Sequence, residues 1–287
     1  MRENSLRSIQ SCKSIDMKPA SYISIAAVMK DEGVNLIEWL EFHKIVGIEH
    51  FYLYDNGSTD NTREILQPYI ESGEVSYFYT DMENCQLPCY HNAFTTFADR
   101  TRWMAFIDID EFLFSSTGDF RRDLGFFEKY SGVVVNWLIF GSNGHIERPD
   151  GLVIDSYIRR NKTVDPHVKT ICQPAMVDRV WNPHFFSYKQ GFAVNENEEV
   201  CDSTWNEAAT INRFRINHYF SKSRAEAKNK LGRGKADVPR TAQNFRYDID
   251  VDKFCSKNND IEDTVILRYS RDLNTVVNEV HKMGYLK

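Results

Sequence analysis

The chain has 287 residues, which at about 150 residues per domain allows one large domain or two small ones. Its 41 acidic and 35 basic residues leave a net charge of −6, which argues against wholesale binding to nucleic-acid backbones or anionic membranes. With 42% hydrophobic residues, 13% aromatic, and only 14 Gly and 8 Pro, the composition is globular with an aromatic-rich core and excludes a disordered or collagen-like chain.

No run approaches the roughly 18 apolar residues of a membrane-spanning helix. The opening Met1-Arg2-Glu3-Asn4 and the polar, Ser-rich stretch behind it lack the apolar core of a secretory signal, so residues 1–20 are expected to form a flexible leader. Cys12, Cys85, Cys89, Cys172, Cys201 and Cys255 are scattered through a chain large enough not to need disulfide staples, which suits a reducing, cytoplasmic compartment. Cys85 and Cys89 lack the second closely spaced ligand pair of a zinc site.

Taken in order, Tyr22 to Met29 is an apolar run of strand length, and Asn35 to Val46 sets Leu36, Trp39, Leu40, Phe42, His43 and Val46 at helical spacings with Gly47 as a stop. Phe51 to Tyr54 predicts a second strand. Thr62 to Ile70 predicts a helix capped by Asp60 or Asn61, with Glu64 completing a capping box. Val75 to Tyr79 predicts a strand, Pro88 to Asp99 a helix, and Trp103 to Ile107 a fourth strand running into Asp108. This alternation predicts an α/β fold, a mostly parallel central sheet with helices on both faces. Ligands of such sheets bind beyond the carboxyl ends of the strands. Three strands here end in polar clusters: Lys30-Asp31-Glu32, Asp55-Asn56 and Asp108-Ile109-Asp110. Further on, Val133 to Phe140 predicts another strand with a glycine-rich turn behind it, and Asn161 to Asn206 reads as irregular and rich in His, Trp and Tyr. Lys222 to Arg240 carries seven basic residues against two acids, a local charge of +5 that leaves the rest of the chain at −11.

If the fourth strand continues through Ile109, its period of two turns Asp108 and Asp110 to one face. Two carboxylates so close call for a cation, and an oxygen-rich set of few ligands suits Mg2+ or Mn2+ with substrate phosphates completing the shell. Neither the loop from Asp55 nor that from Asp108 has the sixth-position Gly of an EF-hand, which excludes calcium sensing. Asp55, at a strand end and followed by a helix, can accept hydrogen bonds from a base or ribose rather than merely begin a turn. His184 and His218 sit among aromatic residues, and either can be a third metal ligand or a phosphate donor. The basic stretch, with Lys222 at its head, can neutralise a departing diphosphate.

The ordered set Lys30-Asp31-Glu32, Glu38-Trp39, Phe42-His43, Gly47, Phe51-Tyr52, Tyr54-Asp55-Asn56, Ser58 and Asp60, then Trp103 and Phe106-Ile107-Asp108-Ile109-Asp110-Glu111-Phe112, resembles the family 2-like glycosyltransferases close to glycosyltransferase family 92. Trp137, Phe140-Gly141-Ser142 with Gly144, Gly151-Leu152-Val153, Lys169, His184, His218-Tyr219 and Lys222-Ser223 extend the resemblance over residues 22–235. It implies a GT-A, Rossmann-like fold over residues 21–240, with a nucleotide-sugar half over 21–111, an acceptor half over 112–240 and a C-terminal helical extension over 241–287. It further implies hexosyl transfer, in the manner of polysaccharide biosynthesis, from a nucleoside-diphosphate sugar to a glycan or glycoconjugate.

By that resemblance Asp108, Asp110 and His218 hold Mn2+ or Mg2+, and Asp55 lies against the base or ribose. Ala27, Lys30, Glu32, Asp108, Lys169 and Lys222 line the donor pocket, and Trp137 and His184 face the acceptor. Glu111, Glu147 and Asp155 are the candidate bases for an inverting displacement, and spacing does not choose among them. Asp31 stands where the family often has Asn. Two other readings compete. A haloacid-dehalogenase-like phosphatase also ends a strand in Asp-x-Asp, but Phe112 stands where it wants Thr or Val. A catalytically inactive carbohydrate-binding protein would use the aromatic stretch Trp181 to Tyr188 as a platform. No nucleic-acid partner or transmembrane segment is expected, and peripheral membrane association is compatible with the composition. Asn56-Gly57-Ser58 is formally a glycosylation sequon whose glycan would block the pocket, which again favours the cytosol.

Overall fold

The computed structural model describes residues 10–11, 21–233 and 250–282; most of the expected leader, the end of the basic stretch and the start of the C-terminal extension lie outside them. The first half comprises β1 (Gln10–Ser11), β2 (Ser21–Met29), α1 (Gly33–Ile45), β3 (His50–Asp55), α2 (Thr62–Glu71), β4 (Val75–Tyr79), α3 (Gln86–Thr96) and β5 (Thr101–Phe106). The second half comprises β6 (Glu111–Ser115), α4 (Phe120–Gly125), β7 (Gly132–Ile139), α5 (Val153–Ser156), β8 (Arg159–Arg160), β9 (Asp165–Cys172), β10 (Val177–Asn182), β11 (Phe185–Tyr188), β12 (Ala193–Val194), β13 (Phe214–His218) and α6 (Arg224–Arg233). The chain continues through α7 (Val251–Cys255), β14 (Ile261–Glu262) and α8 (Ser270–Lys282).

One sheet runs through the molecule in the order β1-β4-β3-β2-β5-β9-β7-β13-β6. Strands β4, β3, β2 and β5 pair in parallel. Strand β2 shows why its sequence carries no alternation. Ile23, Ile25, Ala27 and Met29 pack into the cluster that holds Leu36, Trp39 and Leu40 of α1 and Ile65 and Leu66 of α2. Ala26 and Val28 face Cys89, Tyr90 and Phe94 of α3 on the other side. A strand buried on both faces is apolar throughout.

The second half departs from the parallel pattern. Strand β9 enters antiparallel between β5 and β7, and β13 runs parallel to β7 but antiparallel to β6. Residues 161–206 are therefore not an irregular loop. They supply a central strand and the β10–β11 hairpin, hidden because Pro166, His167 and Lys169 break the apolar run. The C-terminal segment closes on the same core, with Ile266, Leu273 and Val277 in the main cluster and the Tyr269 ring 5.5 Å from Phe42.

One local expectation is sharpened and one is corrected. Of the two caps expected for α2, Asp60 serves and Asn61 makes no side-chain cap. Asp60 accepts the Thr62 amide at 3.0 Å on one oxygen and the Gly33 amide at 2.9 Å on the other, so one carboxylate serves the starts of two helices. The fourth strand does not run through Ile109. Strand β5 stops at Phe106 and Asp108 opens a turn closed by the Glu111 N–H on its carbonyl at 3.1 Å.

Candidate active site

The carboxyl ends of β2, β3 and β5 lie side by side, and their loops are tied to one another. Asp31, at φ +49°, accepts the Thr59 amide at 2.7 Å while its own amide donates to Ser58 Oγ at 2.8 Å, so its carboxylate joins the first loop to the second. Asp55, 2% exposed, accepts the Ser58 amide at 2.8 Å and the Tyr77 hydroxyl at 2.7 Å. Both of its oxygens thus serve the loop, and any ligand contact falls on the lone pairs left over. Ala27 is a correction. Its side chain shares the core face with Ile23, Ile25 and Met29 and is wholly buried, so it lines no pocket.

Around the β5–β6 turn two ion-pair groups meet. In the first, Lys169 Nζ, from the central strand β9, lies 2.8 Å from Asp108 Oδ2 and 3.5 Å from Glu111 Oε1. Gln86 Nε2, from the start of α3, donates to Asp108 Oδ1 at 3.2 Å. Burial works against the charge on Lys169, but the carboxylates of Asp108 and Glu111 outweigh it and raise its pKa. Burial raises Glu111 well above the carboxylate range, with Asp108 and Asp110 adding to the effect and Lys169 opposing it. Glu111 accepts the Asp108 amide at 3.2 Å and is fully enclosed, a foundation for the turn rather than a group an acceptor can reach.

In the second group, the Asp110 carboxylate is met by Lys230 Nζ, from α6, and by His218 Nε2 at 3.5 Å, from the last residue of β13. Burial opposes the charge of Asp110, yet Lys230 and His218 hold its pKa well below the usual range. Burial lowers His218, against the pull of Asp110, so the imidazole is neutral at pH 7. Its Nδ1 is buried 4.0 Å from Glu111 Oε1, with no hydrogen-bond partner among the described residues. Lys222, buried beside the same group at φ +48°, is lowered by burial against the attraction of Glu32, Asp110 and Glu226.

The donor set of the second group fits a small divalent cation. A carboxylate oxygen and a neutral imidazole nitrogen converge on a point where positive charge already sits, and the Lys230 ammonium stands in for a cation there. No group of three or more His, Cys, Asp or Glu among the described residues is arranged to hold a metal. A divalent cation placed here would therefore draw only one or two ligands from the described residues and would need phosphate or water for the remainder.

A chain of rings adjoins this second group. Trp137 of β7 lies 4.6 Å from His218, 5.2 Å from His184 and 5.2 Å from His167, centroid to centroid. His184 donates Nδ1–H to the Val168 carbonyl at 2.8 Å, and burial, helped by Lys169, lowers its pKa to about 4. Of the stretch Trp181 to Tyr188, only His184 joins these rings; Phe186 packs into the core at 4.7 Å from Phe106. The other two candidate bases stay apart. Asp155 is exposed and accepts Asn274 of α8 at 2.9 Å, and Glu147 is exposed on the loop before α5. Sequence reasoning missed Lys230, Gln86 and the pair Asp165–His167, whose Oδ1 and Nδ1 are 2.7 Å apart. The +5 stretch signalled Lys230 as one of seven, with nothing to single it out.

The ends of β2, β3 and β5 and the turn after β5 thus bring carboxylates together with two lysines and a histidine that the second half of the chain supplies, on the edge where open α/β sheets bind ligands. The family model for glycosyltransferase family 92 matches residues 22–277, and the chain belongs to that family. A glycosyltransferase family 92 protein of Oryza sativa subsp. japonica is 24% identical over 181 residues, covering 61% of this chain and 31% of that protein. The galactan beta-1,4-galactosyltransferase GALS3 of Arabidopsis thaliana is 37% identical over 87 residues, 26% of this chain and 17% of that one. The chain thus spans about a third of the length of the first curated relatives it matches. Among solved structures, S. aureus TarS in complex with UDP aligns with a TM-score of 0.39 at 13% identity, covering 54% of this chain and 47% of that one. Among the described residues no helix is long and apolar enough to cross a membrane.

Proposed function

We propose that the chain is a glycosyltransferase that moves a hexosyl group from a nucleoside-diphosphate sugar to a hydroxyl of a glycan or glycoconjugate, inverting the anomeric carbon, with Mn2+ or Mg2+ as cofactor. The observation that carries this reading is the buried Asp110 carboxylate shared by His218 and Lys230, beside the Lys169–Asp108 pair at the strand ends.

Asp110 and His218 would hold the metal, with Asp108 at its edge; when bound it supplies positive charge to the diphosphate. Lys222 adds positive charge where the leaving group gathers negative charge, while Lys230 gives up its place on Asp110 to the metal. Lys30 and Glu32, on the loop after β2, and Asp55 belong to the donor side. Trp137 and His184 face the acceptor. The acceptor oxygen forms its bond to the anomeric carbon as the bond to the diphosphate breaks, and the hydroxyl proton passes to His167, whose ring Asp165 orients. Asn56, whose amide donates to the Thr80 and Met82 carbonyls at 3.3 and 2.9 Å, is engaged within the loop.

A thermal-shift screen of nucleoside diphosphates with and without Mn2+ tests the reading. A hundredfold excess over Kd stabilises by roughly 2.7 kcal/mol. The expected result is a metal-dependent shift that Asp110→Asn and His218→Ala each abolish, together with sugar transfer from the matching nucleotide sugar. The galactosyltransferase relative makes a nucleoside-diphosphate galactose the first donor to try. No metal-dependent shift with any nucleotide, or full metal-dependent transfer by Asp110→Asn, would overturn it.

A further inference from the structure

We propose that the ring chain beside the site is an acceptor cleft with at least two saccharide subsites, and that Trp205 forms the floor of the outer one. The proposal rests on the transferase reading for what happens at the inner end, but not for the cleft's ability to bind. From His218 the rings step to Trp137 at 4.6 Å, to His167 at 5.2 Å and to Trp205 at 3.9 Å. His218 is buried, while Trp205 is 48% exposed, so the chain leads from beside the Asp110 carboxylate to the protein surface.

The chemistry of this wall suits a carbohydrate. A pyranose presents an apolar C–H face, which packs on an aromatic ring, and a rim of hydroxyls that need partners. Trp137 Nε1–H is buried with no hydrogen-bond partner among the described residues, and because such groups are rarely left unsatisfied we assign it a ligand oxygen. His184 spends Nδ1–H on the Val168 carbonyl and is neutral, which leaves Nε2 as an acceptor. A lipid or purely apolar occupant would leave both unused.

The outer ring is also held in place before any ligand arrives. His167 is fixed by Asp165 at 2.7 Å, and the Trp205 amide donates to Ser203 Oγ at 3.0 Å. The Asn206 amide reaches the Pro166 carbonyl at 2.8 Å, and the Asn206 side chain donates to Asn136 Oδ1 at 2.8 Å, which pins the loop to β9 and β7. Rigid aromatic surface binds at low cost in conformational entropy. Trp181, although exposed, faces Arg179 at 4.9 Å and shares no ring contact with this chain.

The test is isothermal titration of the full chain with β-linked galactose and N-acetylglucosamine ladders of one to four units, alongside transfer kinetics. Affinity should rise at least tenfold from monosaccharide to trisaccharide in one ladder. Trp205→Ala should erase that rise and raise KM for the trisaccharide about tenfold, Trp205→Phe should restore most of it, and Trp181→Ala should keep the wild-type preference. Binding that ignores chain length, no binding by either ladder, or a preference that survives Trp205→Ala or depends on Trp181 would each overturn the cleft. Titration needs no turnover, so a chain that binds longer sugars better but transfers from no nucleotide sugar keeps the cleft and loses the transferase reading.

Discussion

The two lysines at the β5–β6 turn neutralise neighbouring carboxylates in different ways. Lys169 stands on a central strand with 1% of its surface exposed, and its partners Asp108 and Glu111 are held by the turn itself. Lys230 hangs from a surface helix with its side chain 26% exposed, and shares Asp110 with a histidine that is itself a good metal ligand. The first charge is built into the sheet and cannot leave without a buried carboxylate losing its partner. On the proposed function the second is exchangeable, because water and a divalent cation would each take over part of its work. One turn therefore carries a permanent cation beside a replaceable one.

The largest expected effect breaks the permanent side. Lys169→Met leaves Asp108 without its counter-charge and Glu111 without the ammonium that opposes its raised pKa, and denaturant unfolding should show a loss of about 3–5 kcal/mol that Mn2+ does not restore. An undiminished stability would place the fixed charge elsewhere.

Acid undermines the same side from below. His43 of α1 donates Nδ1–H to the Trp39 carbonyl and accepts the Leu113 amide of β6 at 3.1 Å, while Trp39 Nε1 donates to the Glu111 carbonyl at 2.9 Å. Burial lowers the His43 pKa to about 3. The unfolded chain then binds a proton that the folded chain refuses. The His43 contribution is complete above its unfolded value near 6.5 and is lost as pH falls toward 3, up to on the order of 4 kcal/mol. Unfolding free energies measured from pH 7 to pH 4 should fall, and His43→Gln should flatten that slope.

Lys230→Met sharpens the replaceable side with a smaller effect. Without metal it should cost roughly 1–2 kcal/mol, since Asp110 keeps His218 and some water. Calorimetric Mn2+ titration should show binding about tenfold tighter than wild type and a return of the lost stability. Weaker Mn2+ binding would mean that Lys230 assists the cation instead of standing in for it.

Much of the first half, up to residue 111, was legible because its signals are local. Strand β4 was read with its observed ends, and β2, β3 and β5 to within two residues at either end, because each is a short apolar run between polar breaks. The carboxylates after β5 were conspicuous for the same reason, polar residues where an apolar run stops. The second half was harder. Strand β9 hides behind Pro166, His167 and Lys169, and it makes sense only with β5 and β7 on either side to give Lys169 a buried carboxylate. Asp155 looked available until α8 supplied Asn274.

The order of strands and helices up to Asp108, the two-sided burial of β2 and the gathering of acids at strand ends were set by residue types within a few positions of one another, and hydrophobic period and turn chemistry report such short-range facts. Which lysine meets which carboxylate was decided by the tertiary structure, across 61 residues for Lys169 and Asp108 and 120 for Lys230 and Asp110. The same holds for the rings from His218 to Trp205. Those contacts follow from the order β5-β9-β7-β13-β6, in which neighbours in space are far apart in the chain, and no local periodicity encodes that order.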